Sequence, residues 1–490
     1  MSFLRKIQKE QYYTLTENDA LALESTSNHL VDLFATAGAL RNRDEADIVD
    51  MFAKALIEDK LLATKMAFYT RDVRGGLGER RTGRLMLRFL AKNYPDIFNK
   101  NVEYIAEYGR YDDLVYLLYD APEVIVPLLK KQLVQDIGNM KANRQISLLA
   151  KWLPSVNTSN KETVNKGRFL AKRFNMSERN YRKTLSALRK YLNVVEVNMS
   201  KRNYEDIIYP EVPSKAMNNY RNAFRRNDEE RFSMFMNKVE KGEEKINASV
   251  LYPYDIVEKY LYGRNLFGMD FNVELDEVLE AQWKALPDYV EGENSFLVMA
   301  DVSGSMMGRP LATSVGLALY FAQRNKGAFA NRFMTFSARP ELVEIKGESL
   351  LENIRYIVTQ KWMMNTNLEA AFDLVLSTAV KYKTPKEELP TSIVVITDME
   401  FDMCADKNWL FYDAMKAKFE HFGYTIPNIV FWNVNSRKST YHASFDRKGV
   451  QLASGQSVSV FETLVKGINL TPYEYMCSVI DVPRYEKISV

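Results

Sequence analysis

A short apolar run that ends in an acid and two hydroxyl residues constrains the fold more than any other feature. Phe296–Ala300 is followed by Asp301, Ser303 and Ser305. Five consecutive apolar residues predict a strand buried on both faces, as in a parallel sheet. The strand would deliver three oxygen donors on one tight loop, where Gly304 lets the chain bend, and such donors suit Mg²⁺ or Mn²⁺ better than zinc. Acids and serines are also ordinary loop and helix-cap residues, so the motif alone leaves that alternative open.

The chain beyond residue 290 alternates between strand and helix patterns. Predicted strands cover residues 296–300, 332–337, 342–345, 392–397, 429–433 and 450–453. Predicted helices include residues 310–323, 368–380 and 408–422. This alternation indicates a doubly wound, Rossmann-like α/β domain, whose ligands gather at the carboxyl ends of its strands.

Further oxygen donors follow in the same domain. Thr366 precedes an apolar helical stretch, and Asp398 ends the strand of residues 392–397. The three segments together resemble the metal-ion-dependent adhesion site of von Willebrand factor A domains. The resemblance implies one divalent cation, Mg²⁺ or Mn²⁺, held by Asp301, Ser303, Ser305, Thr366 and Asp398. Such a site keeps one coordination position open, which suits capture of an acidic group from a protein partner.

Two further acids follow Asp398 in the sequence. Glu400 and Asp402 are interpreted as exposed loop acids, with hydrogen bonding to the metal ligands as the alternative.

The first 290 residues are predicted to be mostly helical. Apolar residues recur at spacings of three and four, as at Ile48, Met51 and Phe52, while Gly and Pro are sparse. Helices of this kind need partners to bury their apolar faces, so we expect an all-helical, HEAT-like body of stacked hairpins. The predicted domains are a helical body over residues 1–290, an α/β domain over 291–470 and an apolar tail over 471–490 that docks on a domain.

An arginine- and glycine-rich segment stands out in the helical part. Residues 71–81 place three glycines among four arginines, which are Arg71, Arg74, Arg80 and Arg81. One interpretation is a backbone nest for phosphate with bidentate guanidinium contacts. The alternative is a turn between two helices whose arginines pair with neighbouring acids. No G-x-x-x-x-G-K-[ST] motif occurs here, so no nucleotide cofactor is expected.

Positive charge is concentrated in one region, although the net charge of the whole chain is only +3. Residues 141–190 contain 13 Lys or Arg and two Glu. A helix from its N-cap Ser177 to Leu192 would carry an apolar stripe that includes Tyr181 and Leu185. The opposite face would present five cations, which are Arg179, Arg182, Lys183, Arg189 and Lys190. Such a face is what contact with RNA phosphates requires, and a merely solvated surface is the alternative.

Four distinctive motifs follow one another ahead of the α/β domain. They are Arg-Gly-Gly-Leu-Gly-Glu-Arg at 74–80, Gly-Arg-Tyr-Asp-Asp-Leu at 109–114, Lys-Trp-Leu-Pro-Ser at 151–155 and Val-Pro-Ser-Lys-Ala-Met at 212–217. This order resembles a poorly characterised family of bacterial, phage and plant proteins, similar in layout to the TROVE or Ro autoantigen proteins. Ro proteins combine a ring of helical repeats with a von Willebrand factor A domain, and the ring binds noncoding RNA. The resemblance implies a noncoding RNA partner and a ribonucleoprotein.

Other features narrow the functional class. Only Cys404 and Cys477 are present, the beginning of the chain is too polar for a signal peptide, and no run of eighteen apolar residues occurs. We therefore expect a cytoplasmic protein with free thiols and no membrane partner. The three histidines lie in no catalytic motif. The sequence favours a non-enzymatic RNA-binding protein with a divalent-metal site, and the alternative is a metal-dependent protein-interaction scaffold without RNA binding.

Overall fold

The computed structural model describes residues 12–261, 273–290, 296–335, 339–359, 367–403, 410–458 and 469–490. Within these ranges the chain forms two compact units. The sheet unit comprises the described residues of Met1–Met66, Gly75–Leu77 and Ala248–Pro483. The helical unit comprises Ala67–Arg74, Gly78–Asn247 and Arg484–Val490. Each unit is therefore assembled from segments that are far apart in sequence.

The chain begins its described part with a small hairpin, which the prediction of a mostly helical N-terminal half missed. Strand β1 (Tyr13–Leu15) pairs antiparallel with β2 (Leu21–Leu23). The turn is closed by the Thr16 hydroxyl, which accepts a hydrogen bond from the Ala20 N–H at 2.9 Å, while Asp19 adopts a left-handed φ of 62°. Strands of three residues are too short to show a two-residue periodicity, so the sequence contained no usable signal.

A six-stranded sheet forms the centre of the sheet unit. Its strands are β3 (Phe296–Ala300), β4 (Arg332–Thr335), β5 (Leu342–Glu344), β6 (Ser392–Thr397), β7 (Asn428–Asn433) and β8 (Val450–Ser454). The order is β5-β4-β3-β6-β7-β8, and neighbours are parallel except β5, which is antiparallel to β4. Every residue of β3, β6 and β8 is buried, as expected where helices cover both faces of a sheet. The predicted doubly wound α/β fold is confirmed.

Helices make up most of the remaining described chain. The first are α1 (His29–Thr36), α2 (Glu45–Glu58) and α3 (Lys60–Arg71). The helical unit continues with α4 (Arg80–Asn93), α5 (Pro95–Asn101), α6 (Ile105–Tyr108), α7 (Tyr111–Tyr116), α8 (Pro122–Lys141), α9 (Leu149–Trp152), α10 (Lys161–Arg173), α11 (Glu178–Tyr191), α12 (Val195–Lys201), α13 (Ser214–Asn227) and α14 (Glu229–Glu240). The sheet unit adds α15 (Pro253–Leu261), α16 (Glu277–Lys284), α17 (Arg309–Arg324), α18 (Leu350–Thr359), α19 (Leu368–Tyr382), α20 (Phe411–His421) and α21 (Pro472–Ile480).

The helical unit consists of helices packed against their neighbours in sequence, as predicted. Helices α10 and α11 pack together across a four-residue connection, and α13 packs on α14 across Asp228 alone. The Tyr209 ring, just before α13, packs edge-on against Phe224 of α13 and Phe232 of α14 at 5.3 and 5.0 Å, and the two Phe rings are tilted against each other at 5.6 Å. Burying these rings stabilises the pair of helices, because neither helix can cover its apolar face alone.

Residues just before the predicted boundary at 290 belong to the sheet unit. Helix α15 packs on α17, and a Cβ at Gly316 of α17 would lie 3.1 Å from the Pro253 backbone. On α16, Glu280 accepts hydrogen bonds from the N–H groups of Leu350 and Leu351 at 2.7 and 3.1 Å. The Glu280 carboxylate thus caps α18, which explains why an acidic segment packs with the sheet instead of with the preceding helices.

The apolar tail is packed both in helix α21, which belongs to the sheet unit, and in its last residues, Arg484–Val490, which belong to the helical unit. Tyr475 and Ile480 of α21 are fully buried in the sheet unit, and the Tyr475 ring lies edge-on to Phe34 of α1 at 5.7 Å. The last residues belong to the helical unit, where the Ser489 N–H donates to Asn101 Oδ1 at 3.0 Å.

Candidate functional site

Two acids end the two central strands of the sheet. Asp301 directly follows β3 and Asp398 directly follows β6, and the Asp301 N–H donates to the carbonyl oxygen of Ile396 at 2.9 Å. The strand order reverses between β3 and β6, since the chain proceeds outward to β4 on one side and to β7 on the other. In open α/β sheets ligands bind in the crevice at this switch point. The fold therefore places both predicted metal-binding acids at the preferred ligand position.

Asp301 is buried without a cationic partner among the described residues. Its Oδ1 accepts a hydrogen bond from the Ser303 N–H at 2.8 Å, and its Oδ2 accepts one from the Thr397 hydroxyl at 2.9 Å. Burial, and then the negative charge of Asp398, raise the pKa of Asp301 to about 6. A divalent cation bound here would remove both the desolvation cost and the repulsion between the two acids.

The predicted hydroxyl donors lie on the loop beyond β3. The Oγ atoms of Ser303 and Ser305 are 3.0 Å apart, with Ser303 half-buried and Ser305 exposed. The loop turns through a short 3-10 segment, Gly304–Met306, and not through a left-handed glycine. A Cβ at Gly304 would meet no atom within 4 Å, so this bend does not require a glycine.

Asp398 has a partner that sequence reasoning missed. Its Oδ2 accepts a hydrogen bond from Arg437 Nη2 at 2.9 Å, and its Oδ1 accepts one from the Glu400 N–H at 3.3 Å. Arg437 also pairs with Glu17, whose Oε2 lies 2.8 Å from Nη1. Arg437 is in no motif and is 39 residues from Asp398, so nothing in the sequence pointed to it.

The interpretation of Glu400 as an exposed loop acid is wrong. Glu400 is 2% exposed and accepts hydrogen bonds from the Glu17 N–H at 2.6 Å and the Thr440 hydroxyl at 2.8 Å. Burial raises its pKa. The carboxylate ties the turn of the N-terminal hairpin to the loop after β6. Asp402 is half-buried beside the same turn, in isolated β-bridges with Asn18 and Asp19.

The described donors fit a hard divalent cation. Asp301, Asp398, Ser303 and Ser305 offer only oxygen, which Mg²⁺ and Mn²⁺ prefer. Thr366 lies outside the described residues, and the neighbouring Asn367 caps α19 by accepting from the Ala370 N–H at 2.8 Å. Among the described residues no group of three or more His, Cys, Asp or Glu side chains is placed to hold a metal ion. Two carboxylates supplemented by hydroxyls are therefore the donor set available in this part of the chain.

The arginine- and glycine-rich segment forms the turn between α3 and α4, which is the alternative interpretation. Arg71 is 2% exposed and pairs with the fully buried Asp113 at 2.8 Å, so it has no surface for RNA. Arg80 pairs with Asp112 at 2.6 Å. The exposed Arg74 donates from Nη1 to the Glu107 carbonyl oxygen at 2.6 Å. Asp112 and Asp113 of the following motif, and the Glu107 carbonyl just before that motif, thus hold these three arginines.

Arg81, the last of the four, is exposed at the beginning of α4.

The predicted basic helix is present as α11. Ser177 caps it, accepting from the Asn180 N–H at 3.2 Å, and Tyr181 and Leu185 are buried as expected. Four of its predicted cationic residues are exposed, namely Arg179, Arg182, Lys183 and Lys190. The sequence pattern therefore predicted the helix, its cap and most of its charged face.

Arg189 is the exception, and the prediction that it contacts RNA is not supported by its position. Its guanidinium donates to the carbonyl oxygens of Ala150 at 2.8 Å and Leu153 at 2.7 Å, and to the Ser155 hydroxyl at 2.8 Å. Burial lowers the pKa of Arg189. At about 100° per residue Arg189 lies only about 40° from Leu185, at the edge of the apolar stripe, so it faces the neighbouring loop.

A basic groove runs beside α11. It has a volume of about 720 Å³ and is lined by α11, the loop at 155–157 and α12. Its cationic lining residues are Arg182, Lys183, Arg189, Lys190 and Lys201. None of the described lining residues is Asp or Glu. Lys201, on the next helix, joins this cluster only through tertiary packing.

The fold defines a class: an all-helical body and an α/β domain whose two central strands both end in a buried acid. The chain belongs to a family described as a domain of unknown function (DUF2828), whose model matches residues 16–124 and 158–295. A second family model, also described as a domain of unknown function (DUF7788), matches residues 295–478. The expected membership of a poorly characterised family is thereby confirmed.

Individual proteins are similar over nearly the whole chain. An uncharacterised protein of Acanthamoeba polyphaga mimivirus is 27% identical over 96% of this chain and 87% of its own length. Among solved structures, the Ro (RSR) protein of Deinococcus radiodurans is similar with a TM-score of 0.48 and 13% identity, over 93% of this chain and 99% of that one. Within the described residues, no helix is both long and apolar enough to cross a membrane.

Proposed function

We propose that this chain is a non-enzymatic RNA-binding protein whose helical unit contacts RNA phosphates and whose sheet unit holds a divalent cation. The basic groove beside α11 carries the proposal. Its lining combines five cations with no described acid, whereas solvated surfaces normally intersperse both signs. Releasing counterions from phosphates would then supply the affinity. RNA is proposed over other polyanions because the order of motifs resembles the Ro-like layout.

The groove is suited to phosphates more than to bases. Tyr181 is its one aromatic lining residue in the described chain, and its ring is buried while its hydroxyl donates to the Pro154 carbonyl oxygen at 3.1 Å. No ring is therefore offered there for stacking of unpaired bases. Binding at the groove should depend weakly on base sequence, because phosphate contacts position a strand without reading it.

In the sheet unit, Asp301 and Asp398 would hold the cation with the help of Ser303 and Ser305. The bound ion would supply positive charge and an open coordination position for an oxygen of an acidic group. The described residues around this site suggest capture of a partner and not catalysis. His442, for example, is fully buried against the Met399 carbonyl oxygen, out of reach of a substrate.

A second candidate function is a metal-dependent protein-interaction scaffold without RNA binding. It is favoured by the burial of Asp301 at the switch point without a cationic partner among the described residues, because a bound cation would offset the cost of burying this acid. Four of the five groove cations, in contrast, are exposed surface side chains.

Fluorescence anisotropy with labelled single-stranded and hairpin RNAs tests the proposal. We expect binding at low salt, with similar affinity for unrelated base sequences. Replacing Arg182, Lys183, Lys190 and Lys201 by alanine should reduce the slope of log affinity against log salt by up to about 2.8, at about 0.7 per lost contact. Arg189 is left in place because it supports the fold.

The matched control replaces four exposed lysines of the helical unit that do not line the groove: Lys131, Lys238, Lys241 and Lys245. This variant should keep the wild-type salt slope. A wild-type chain that binds no RNA at low salt would refute RNA binding and favour the scaffold. Equal slopes for the two quadruple variants would refute the groove as the binding surface.

A further inference from the structure

The guanidinium of Arg437 is hydrogen-bonded to Asp398, one of the proposed metal ligands. Arg437 Nη2 donates to Asp398 Oδ2 at 2.9 Å, and the Asp398 side chain is fully buried while that of Arg437 is one-third exposed. Asp301 has no such partner among the described residues, since its hydrogen bonds come from a backbone N–H and a hydroxyl. The two acids therefore differ: one carries an internal counter-ion and the other does not.

Arg437 is fixed from several directions. Its Nη1 is 2.8 Å from Glu17 Oε2, and the Glu17 N–H in turn donates to Glu400 Oε2 at 2.6 Å. Its own carbonyl oxygen accepts from Arg43 Nη1 at 3.0 Å. These contacts hold the guanidinium at Asp398 and reduce the entropy that a long side chain would lose in forming the ion pair.

The geometry points to Arg437 as the residue that sets the affinity of the metal site, by competing with the divalent cation for the Asp398 carboxylate. A cation bound to Asp398 must weaken or displace the guanidinium, because two positive groups then share one acid. In the metal-free protein the same guanidinium keeps a buried carboxylate from being unpaired, which would cost stability. This inference rests on the proposed metal site and adds the residue that limits its occupancy.

Arg437→Gln tests the competition. The variant should bind Mn²⁺ at least fivefold more tightly in isothermal titration, the factor that corresponds to about 1 kcal/mol for an ion pair whose guanidinium is partly exposed. Its melting temperature in EDTA should fall, because Asp398 loses its counter-ion, and the rise in melting temperature at saturating Mn²⁺ should exceed that of the wild type.

Two further variants make the result specific. Arg437→Lys keeps the charge but loses the planar pair of Nη donors, so its affinity should fall between those of the wild type and Arg437→Gln. Arg332→Gln is the control, because Arg332 begins β4, its side chain is about as exposed as that of Arg437, and its pair with Glu344 at 2.8 Å is remote from the two acids in sequence. It should bind Mn²⁺ as the wild type does. If Arg437→Gln folds only with Mn²⁺ present, the Mn²⁺ affinities of Arg437→Lys and the wild type still decide whether the guanidinium competes with the metal ion.

The possible failures are distinguishable. Equal Mn²⁺ affinity in the wild type and both Arg437 variants would overturn the competition while leaving the metal site in place. Weaker binding by Arg437→Gln would show that the guanidinium supports the site, which also overturns the inference. No Mn²⁺ binding by any folded variant would refute the metal site itself.

Discussion

Asp72 and Arg484 form an ion pair that joins residues 412 positions apart within the helical unit. The Arg484 guanidinium donates to both carboxylate oxygens, with Nη2 at 2.8 Å from Oδ1, and the Tyr485 hydroxyl donates to Oδ2 at 3.0 Å. Asp72 is fully buried, so the C-terminal segment supplies the charge that makes this burial tolerable.

Arg484→Ala should destabilise the helical unit by about 3 kcal/mol, because it removes a guanidinium that donates to both oxygens of a buried carboxylate. Urea denaturation measures this loss. The control is Lys487→Ala in the same segment, which removes an exposed pair with Glu107 and should cost less than about 1 kcal/mol. Equal effects of the two substitutions would show that Asp72 does not depend on Arg484.

Arg189→Gln should destabilise the helical unit by about 2 kcal/mol, whereas Arg182→Gln should leave its stability nearly unchanged. Arg189 donates three hydrogen bonds to the loop at 150–155, and bonds from charged donors are worth about 1.5–3 kcal/mol. Arg182 is exposed on the same helix. Thermal denaturation compares the stabilities of the two variants. A larger loss of stability for Arg182→Gln would contradict the assignment of Arg189 to the fold and of Arg182 to the surface.

Asp301→Asn should abolish stabilisation of the sheet unit by Mn²⁺. For the wild type, an ion at about 100 times its dissociation constant adds about 2.7 kcal/mol. Without metal the variant should be at least as stable as the wild type, because a buried charge beside Asp398 is removed. Differential scanning calorimetry with EDTA and with Mn²⁺ measures both effects. Asp413→Asn, which alters a part-exposed pair with Arg447, should retain the Mn²⁺ response.

Protonation of His442 should contribute to acid unfolding. Its buried ring packs on Phe401 at 4.4 Å and its Nε2–H donates to the Met399 carbonyl oxygen at 2.9 Å. Burial lowers the pKa of His442 to about 4, while an unfolded histidine titrates near 6.5. Below about pH 6.5 this histidine is protonated in the unfolded chain but stays neutral in the folded chain. The free energy of unfolding therefore falls as the pH drops from about 6.5 to about 4.

His442→Gln keeps a donor for Met399 but cannot titrate. Between pH 7 and pH 5 it should lose about 2 kcal/mol less stability than the wild type in urea denaturation. An identical pH dependence in both proteins would show that the buried ring does not govern acid unfolding.

Much of the architecture follows from local sequence patterns. The run Phe296–Ala300 became the central strand β3 with the predicted ends, because a strand buried on both faces must be continuously apolar. The 3.6-residue periodicity likewise predicted α11, and the Ser177 cap was visible because capping acts within a few residues. Asp301 and Asp398 could be placed together because parallel strands end at one edge of a sheet.

Other features depended on tertiary structure alone. The hairpin of β1 and β2 lies in the sheet unit, and the pairing of Glu17 with Arg437 joins residues 420 positions apart in sequence, so no local pattern records it. Arg189 and Arg182 have the same charge on the same helix, yet one is held by loop carbonyls and the other is exposed. Apolar periodicity determines which face of a helix is buried, but the partner of a charged side chain at the edge of that face is decided only when a second segment packs against it.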